Sequence, residues 1–262
     1  VVRHLRHLDV RDPAPGALLV EEGITHVAHL ASVLQASADR ARDFDIDVGG
    51  TRNVLAACVC ADVGHLVVTS SGAAYGYHAD NPAWIDEDDP LRGNPEFAYA
   101  DHKRQVEELL ARARFEHPEL RQLVFRPGAI LGDTTRNQIT DLFEKRLVLG
   151  VAGSDAPFTF VWDRDVVACL VKGVLDGASG TFNLAGDGVT TMPDIARRLG
   201  KRYVPLPAWI IRAALAVLHP LRLSQYGPEQ VDFLRYRPVL SNRRLKEDFG
   251  HEPQLSSTEV FE

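Results

Sequence analysis

Tyr99-Ala100-Asp101-His102-Lys103 sets a phenol and an amine four residues apart. On a helix that step brings both side chains to one face. The ammonium can then stand near the phenol and favour its ionised form electrostatically. A tyrosine held this way can pass a proton to or from a substrate oxygen. Upstream, Thr69-Ser70-Ser71 runs into Gly72-Ala73-Ala74-Tyr75-Gly76. A hydroxyl there can hydrogen-bond a substrate oxygen opposite the tyrosine. Taken singly, the first motif also fits an incidental surface pair and the second a simple turn after a strand. Together they point to a reacting centre.

The elements that must position these residues can be read from the apolar pattern. His65 to Ser70 reads as a strand, which puts the serines at its carboxyl end. Phe97 to Phe115 reads as a helix, with Val106, Leu109, Leu110 and Ala113 on one stripe and Pro118 beyond its end. Val27 to Ala31 reads as a buried strand, Ile46 to Ala61 as a helix stopped by Gly64, and Leu123 to Phe125 as a strand closed by Pro127-Gly128. Strands alternating with helices imply parallel βαβ units, an α/β fold with a doubly wound sheet. Such sheets bind ligands at the carboxyl ends of their strands. After Leu131 the alternation loosens, with a helix expected over Asp165 to Leu175 and a strand over Thr181 to Leu184. From Pro205 onward, apolar helices and Trp209 suggest a separate cap over the sheet edge.

The chain has 262 residues, is 45% hydrophobic and 25% charged, and carries a formal net charge of −7. That length and composition suit one large or two-lobed unit with an ample core, not intrinsic disorder. The acidic balance argues against nucleic acid as a partner, because a general binder would show a basic face. Cys58, Cys60 and Cys169 include a C-x-C step rather than the C-x-x-C of a zinc or redox site. All three read as buried small hydrophobes in a reducing compartment, with no metal site implied. Arg3, His4, Arg6 and His7 interrupt the first apolar residues, so no signal peptide is expected. Leu206 to Leu221 contains Pro207, Arg212 and Pro220 and is too short to span a bilayer. The expectation is a cytoplasmic protein with no membrane partner.

In this order, the motifs resemble the extended short-chain dehydrogenase/reductase family, of the NAD-dependent epimerase/dehydratase type. His29-Leu30-Ala31-Ser32 is similar to the family's cofactor-lining strand end, and Asp47-Val48-Gly49-Gly50-Thr51-Arg52-Asn53 to its N-x-x-G-T-x-N helix. Thr69 to Gly76 resembles its serine strand, and Tyr99 and Lys103 match its Tyr-x-x-x-Lys pair. Arg126-Pro127-Gly128 is similar to the turn whose backbone meets the nicotinamide carboxamide. Phe160 to Val166 and Phe182 to Gly186 resemble two further family segments.

The resemblance implies a Rossmann-type sheet with NAD or NADP as cofactor. It places a dinucleotide-binding domain at 1–130 and 158–185, and a smaller substrate-binding lobe at 131–157 and 186–262. Tyr99 would be the general acid/base, Lys103 would lower its proton affinity and hold the nicotinamide ribose, and Ser71 would orient the substrate oxygen. Asp9, Val10, Leu30, Ala31, Ser32, Asp47, Thr69 and Pro127 would line the cofactor along with Tyr99 and Lys103. His102 reads as an ordinary helix residue. A homodimer is implied, formed by the helix bearing Tyr99 and the one over Thr51 to Cys60.

Two departures stand out. The family's opening strand and G-x-x-G-x-x-G loop have no counterpart, and Leu8-Asp9-Val10-Arg11-Asp12 resembles its adenine-side turn. A preceding β-α-β unit of about fifty residues is therefore expected before Val1, since Val54, Val67 and Leu123 would otherwise face no complete core. The residue that selects NAD or NADP would lie in that segment. Second, Asp47 stands where the family has asparagine, and a carboxylate cannot donate the amide's hydrogen bond. Substrate choice falls to the cap. Arg136, Arg146, Arg202 and Arg237 are available for the diphosphate of a sugar nucleotide, while the helix Ala208 to Leu218 would suit a lipophilic alcohol, or plain core or dimer packing. A non-catalytic member of the fold, sensing a dinucleotide or a protein partner, is the competing reading.

Overall fold

The computed structural model describes residues 4–12, 15–34, 39–133, 135–136, 138–155, 157–221, 223–224 and 227–262. Its strands are β1 (His26–His29), β2 (His65–Thr69), β3 (Arg121–Pro127), β4 (Ala129–Leu131), β5 (Leu147–Val151), β6 (Phe160–Trp162), β7 (Gly180–Leu184) and β8 (Arg202–Leu206). Its α-helices are α1 (Pro15–Glu21), α2 (Arg40–Phe44), α3 (Gly50–Cys60), α4 (Ala98–Glu116) and α5 (Gln138–Glu144), then α6 (Asp163–Asp176), α7 (Met192–Arg198), α8 (Ala208–Leu218), α9 (Gln230–Arg235) and α10 (Arg243–Glu247).

The main sheet has the order β1-β2-β3-β7, with every pair parallel. Register pairs His29 with Val68, Thr69 with Phe125 and Pro127 with Leu184, so the carboxyl ends of these strands share one edge. Successive strand residues point to opposite faces, and both faces are covered here. Leu66, Val68 and Val124 join Val54, Leu55, Val106 and Leu110 under α3 and α4. Val67, Leu123 and Phe125 join Val166, Cys169, Phe182 and Phe249 on the other side. Burial on both faces explains why β2 and β3 read as continuous apolar runs. Val54, Val67 and Leu123 belong to these clusters, with exposures of 9%, 0% and 0%.

Differences from expectation have local causes. The first strand ends at His29, its only buried residue; among the described residues β1 has a neighbour on one side alone, which leaves it half open. The helix expected over Ile46 to Ala61 divides into a π-helical turn, Asp45–Gly49, and α3. Cys58 and Cys169 are buried, but Cys60 is exposed, because a two-residue step on a helix turns to another face.

The C-terminal half adds two short parallel pairs, β4 with β6 and β5 with β8. Leu131, Phe143, Val148, Phe158, Phe160 and Ile195 form its core. Helix α8 contributes no buried residue, and Trp209 is 71% exposed. The plain core packing expected of it is not present among the described residues. No helix there is long and apolar enough to cross a membrane.

Candidate functional site

The tip of β2 continues as an ordered turn. Ser70 N–H donates to Phe125 O at 2.7 Å, extending the ladder by one residue. Ser71 is extended and caps the 3-10 turn Gly72–Tyr75, its Oγ accepting from Ala73 N–H at 3.1 Å. Ser70 Oγ is enclosed and has no partner among the described residues.

Helix α4 crosses this tip. Tyr99 lies in its first turn and, like Phe97, Phe233 and Tyr236, packs against the buried cluster of Ala73, Tyr77 and Ala100. Lys103, one turn on, is only 4% exposed. Its ammonium donates to Thr69 O at 3.2 Å and lies 5.7 Å from the centre of the Tyr99 ring. The fold thus gathers Tyr99, Lys103 and the Thr69–Ser71 strand end in one place. A buried ammonium is costly unless hydrogen-bonded, and Thr69 O uses one of its three donors.

Behind Lys103 lies a polar network that the sequence reading missed. Asp47 Oδ1 accepts from the Ser32 hydroxyl at 2.8 Å and from Val33 N–H at 2.9 Å, while Oδ2 faces His102 Nδ1 at 3.1 Å. Burial works against the Asp47 charge, but these donors, with Lys103 nearby, hold its carboxyl below the usual carboxylate range. His102 is therefore no ordinary helix residue: it is 6% exposed and paired. The available signal was the carboxylate at 47, which needs donors from somewhere. Thr51 Oγ donates to Asp47 O at 2.6 Å and meets His29 Nε2 at 3.1 Å. With the Thr51 proton so committed, His29 must donate from Nε2. Burial first, and Lys103 second, bring His29 down to about 4.

The expected cofactor-lining residues divide into two groups. Leu30 and Ala31 follow the end of β1 and are exposed, Ser32 binds Asp47, and Pro127 ends β3 beside Leu184. With Thr69 they line one edge of the sheet. Asp9 is exposed and tied to Arg11 within its own turn, and no described contact brings it to the Tyr99–Lys103 pair. Val10 docks on α3 through Asn53 Nδ2, which donates to Val10 O at 3.0 Å. That approach needs Gly50, since an added Cβ would come within 2.7 Å of Val10 Cγ2.

Two arginines complete the surroundings. Arg126 reaches both oxygens of Glu107 at 2.8 and 2.9 Å, Tyr75 OH at 2.8 Å and Glu87 O at 2.9 Å. Glu87, enclosed beside it, is pushed up to about 7, chiefly by burial. Of the cations proposed for a diphosphate, Arg136, Arg146 and Arg202 are exposed. Arg237 differs. Its guanidinium lies 3.8 Å from the ring centres of both Phe158 and Phe233. Its Nε and Nη2 are shut from solvent and have no partner among the described residues, and burial draws the group down to about 9. A cavity of about 530 Å³ lies elsewhere, lined by Glu87, Arg114, Gln122, Arg126 and Arg244 and by none of Ser71, Tyr99 or Lys103. It borders the ion pair of Arg126 rather than the serine–tyrosine edge.

A parallel Rossmann-type sheet, with a tyrosine–lysine helix laid across the tip of a serine-bearing strand, defines a member of the short-chain dehydrogenase/reductase class. More narrowly, the chain belongs to the NAD dependent epimerase/dehydratase family, whose model matches residues 1–184. It is 23% identical over 257 residues to the uncharacterized protein Rv0501 of Mycobacterium tuberculosis, spanning 97% of this chain and 68% of that one. Over 103 residues it is 37% identical to the N-acetyl-alpha-D-glucosaminyl-diphospho-ditrans,octacis-undecaprenol 4-epimerase of Escherichia coli O157:H7, covering 39% of this chain and 30% of the relative. In fold it is similar to the UDP-glucose 4-epimerase of Thermotoga maritima, solved with UDP-glucose, with a TM-score of 0.72, 19% identity and coverage of 98% and 81%. It is also similar to Bordetella bronchiseptica WbmG, solved with NAD and UDP, with a TM-score of 0.73, 18% identity and coverage of 97% and 75%.

Proposed function

We propose that this chain is an NAD(P)-dependent epimerase or oxidoreductase that acts at a carbinol carbon of a sugar nucleotide. The observation carrying the reaction class is the buried Lys103 ammonium, fixed between Thr69 O and the Tyr99 ring with donors to spare. Those donors suit the hydroxyls of a ribose, so the residues present fit a nicotinamide dinucleotide. Lys103 would hold that ribose, with Leu30, Ala31, Ser32, Thr69 and Pro127 lining the same edge. When bound, the dinucleotide supplies hydride acceptance and return. Tyr99 takes and gives the proton of the substrate hydroxyl, and Ser71 holds the same oxygen in line.

Arg237 favours a sugar nucleotide over a lipophilic alcohol. An enclosed guanidinium without a counter-charge is unfavourable, and a diphosphate would supply two anionic groups in the plane its fork prefers. Relatives whose names specify UDP sugars or a diphospho-linked sugar agree with this choice. A homodimer through α3 and α4 belongs to the same proposal. Calorimetric titration of the full-length protein with NAD, NADP and a set of nucleoside diphosphates tests it. Binding of one dinucleotide, and of a nucleoside diphosphate weakened at least tenfold by Arg237→Met, supports the reading. No dinucleotide binding at all leaves only the non-catalytic alternative.

A further inference from the structure

Asp47 stands where the family pattern has an amide, and its surroundings are built for a carboxylate. It lies in the π-helical turn Asp45–Gly49, a local geometry that recurs at functional sites. Three donors from two elements meet its two oxygens: the Ser32 hydroxyl and Val33 N–H after β1, and His102 Nδ1 on α4. Side-chain exposures of 2% for Asp47 and 8% for His102 mark the pair as buried. An ionised carboxylate only accepts, so Nδ1 of His102 must carry the proton. Next in sequence is Lys103, held at Thr69 O.

We propose that Asp47 and His102 form one positioning unit for Lys103, tying α4 to the loop after β1 so that the ammonium stays over the strand tip. This rests on the assignment of Lys103 to the cofactor ribose. Asparagine at 47 would reverse the polarity of the bond. Its amide would face His102 Nδ1 as a donor, which the histidine can accept only by moving its proton to Nε2. The substitution also removes a negative charge close to Lys103.

The test uses the full-length protein and whichever of NAD or NADP binds more tightly. Long-range 15N NMR in alkaline buffer reads the His102 tautomer, and calorimetry reads dinucleotide affinity. Wild type should show Nδ1–H, and Asp47→Asn should show Nε2–H. Asp47→Asn and His102→Leu should each weaken the dinucleotide about tenfold, and the double variant should lose no more than the worse single, as contacting residues do. His102→Gln, which keeps a donor, should bind within about threefold of wild type by the same logic of a retained bond. Nε2–H in the wild type, additive losses, or unaltered affinity in both single variants would overturn the unit. Lys103→Met in the same assay separates the two claims. If it binds normally, the assignment of the centre falls and the unit's role with it; if it loses affinity while His102→Leu does not, the unit alone falls.

Discussion

Two arginines, both largely enclosed, sit in regions with opposite character. Arg126, on β3 of the main sheet, has four of its five donors engaged: Glu107 takes two, and Tyr75 OH and Glu87 O take one each. Its guanidinium is pushed above the usual range by Glu107, which outweighs the opposing effect of burial. Arg237, in the C-terminal half, is held by two phenylalanine rings and, among the described residues, by no carboxylate. The first is a closed unit that fixes β3 against α4. The second is a cation with unused donors, positioned beside the aromatic cluster that contains Tyr99. Under the proposed function, the paired arginine is a structural tie and the one without a carboxylate partner is the place for a ligand.

The largest effect should come from breaking the closed unit. Glu107→Gln leaves Arg126 without its counter-ion, and denaturant unfolding should show a loss of about 3–5 kcal/mol. Arg237→Met is the counterpart. It removes a partly buried cation whose Nε and Nη2 have no partner among the described residues, so the melting temperature should hold or rise while nucleoside diphosphate binding falls. A large loss of stability in that variant would show Arg237 to be structural, and the contrast would disappear.

Glu87 gives a pH-dependent test of the closed region. Its folded value of about 7 lies above the ordinary 4.5. The folded state therefore binds the extra proton, and the stability this contributes is complete below about 4.5 and lost as pH rises through about 7. Glu87→Gln keeps an oxygen for Asn183 N–H, now held at 2.7 Å by Glu87 Oε1. Urea midpoints should fall across that window in wild type and flatten in the variant. A slope that persists unchanged would place the titration on another group. The smallest effect belongs to the open region: Trp209→Ser, at a side chain that is 71% exposed, should change stability by less than about 0.5 kcal/mol.

Legibility in the sequence follows the same division. β2, β3 and α4 could be read because each is packed against the sheet core, where burial imposes a strand run or a helical stripe. Tyr99 and Lys103 could be read because one helical turn relates them. The Asp47–His102 bond could not, since it joins residues 55 apart in sequence and periodicity reports a face, not its distant neighbour. The pairing of β4 with β6, each three residues long, left no periodic signal. Arg237 was legible as a cation, but the rings that enclose it come from Phe158 and Phe233, and only the fold brings them together.

The most direct test of the central claim is Tyr99→Phe in the full-length protein. It would be supplied with NAD or NADP and a panel of sugar nucleotides and alcohols, with nicotinamide reduction followed by absorbance and dinucleotide affinity by calorimetry. Loss of turnover with the dinucleotide still bound is the predicted result. Full turnover in that variant would contradict the account.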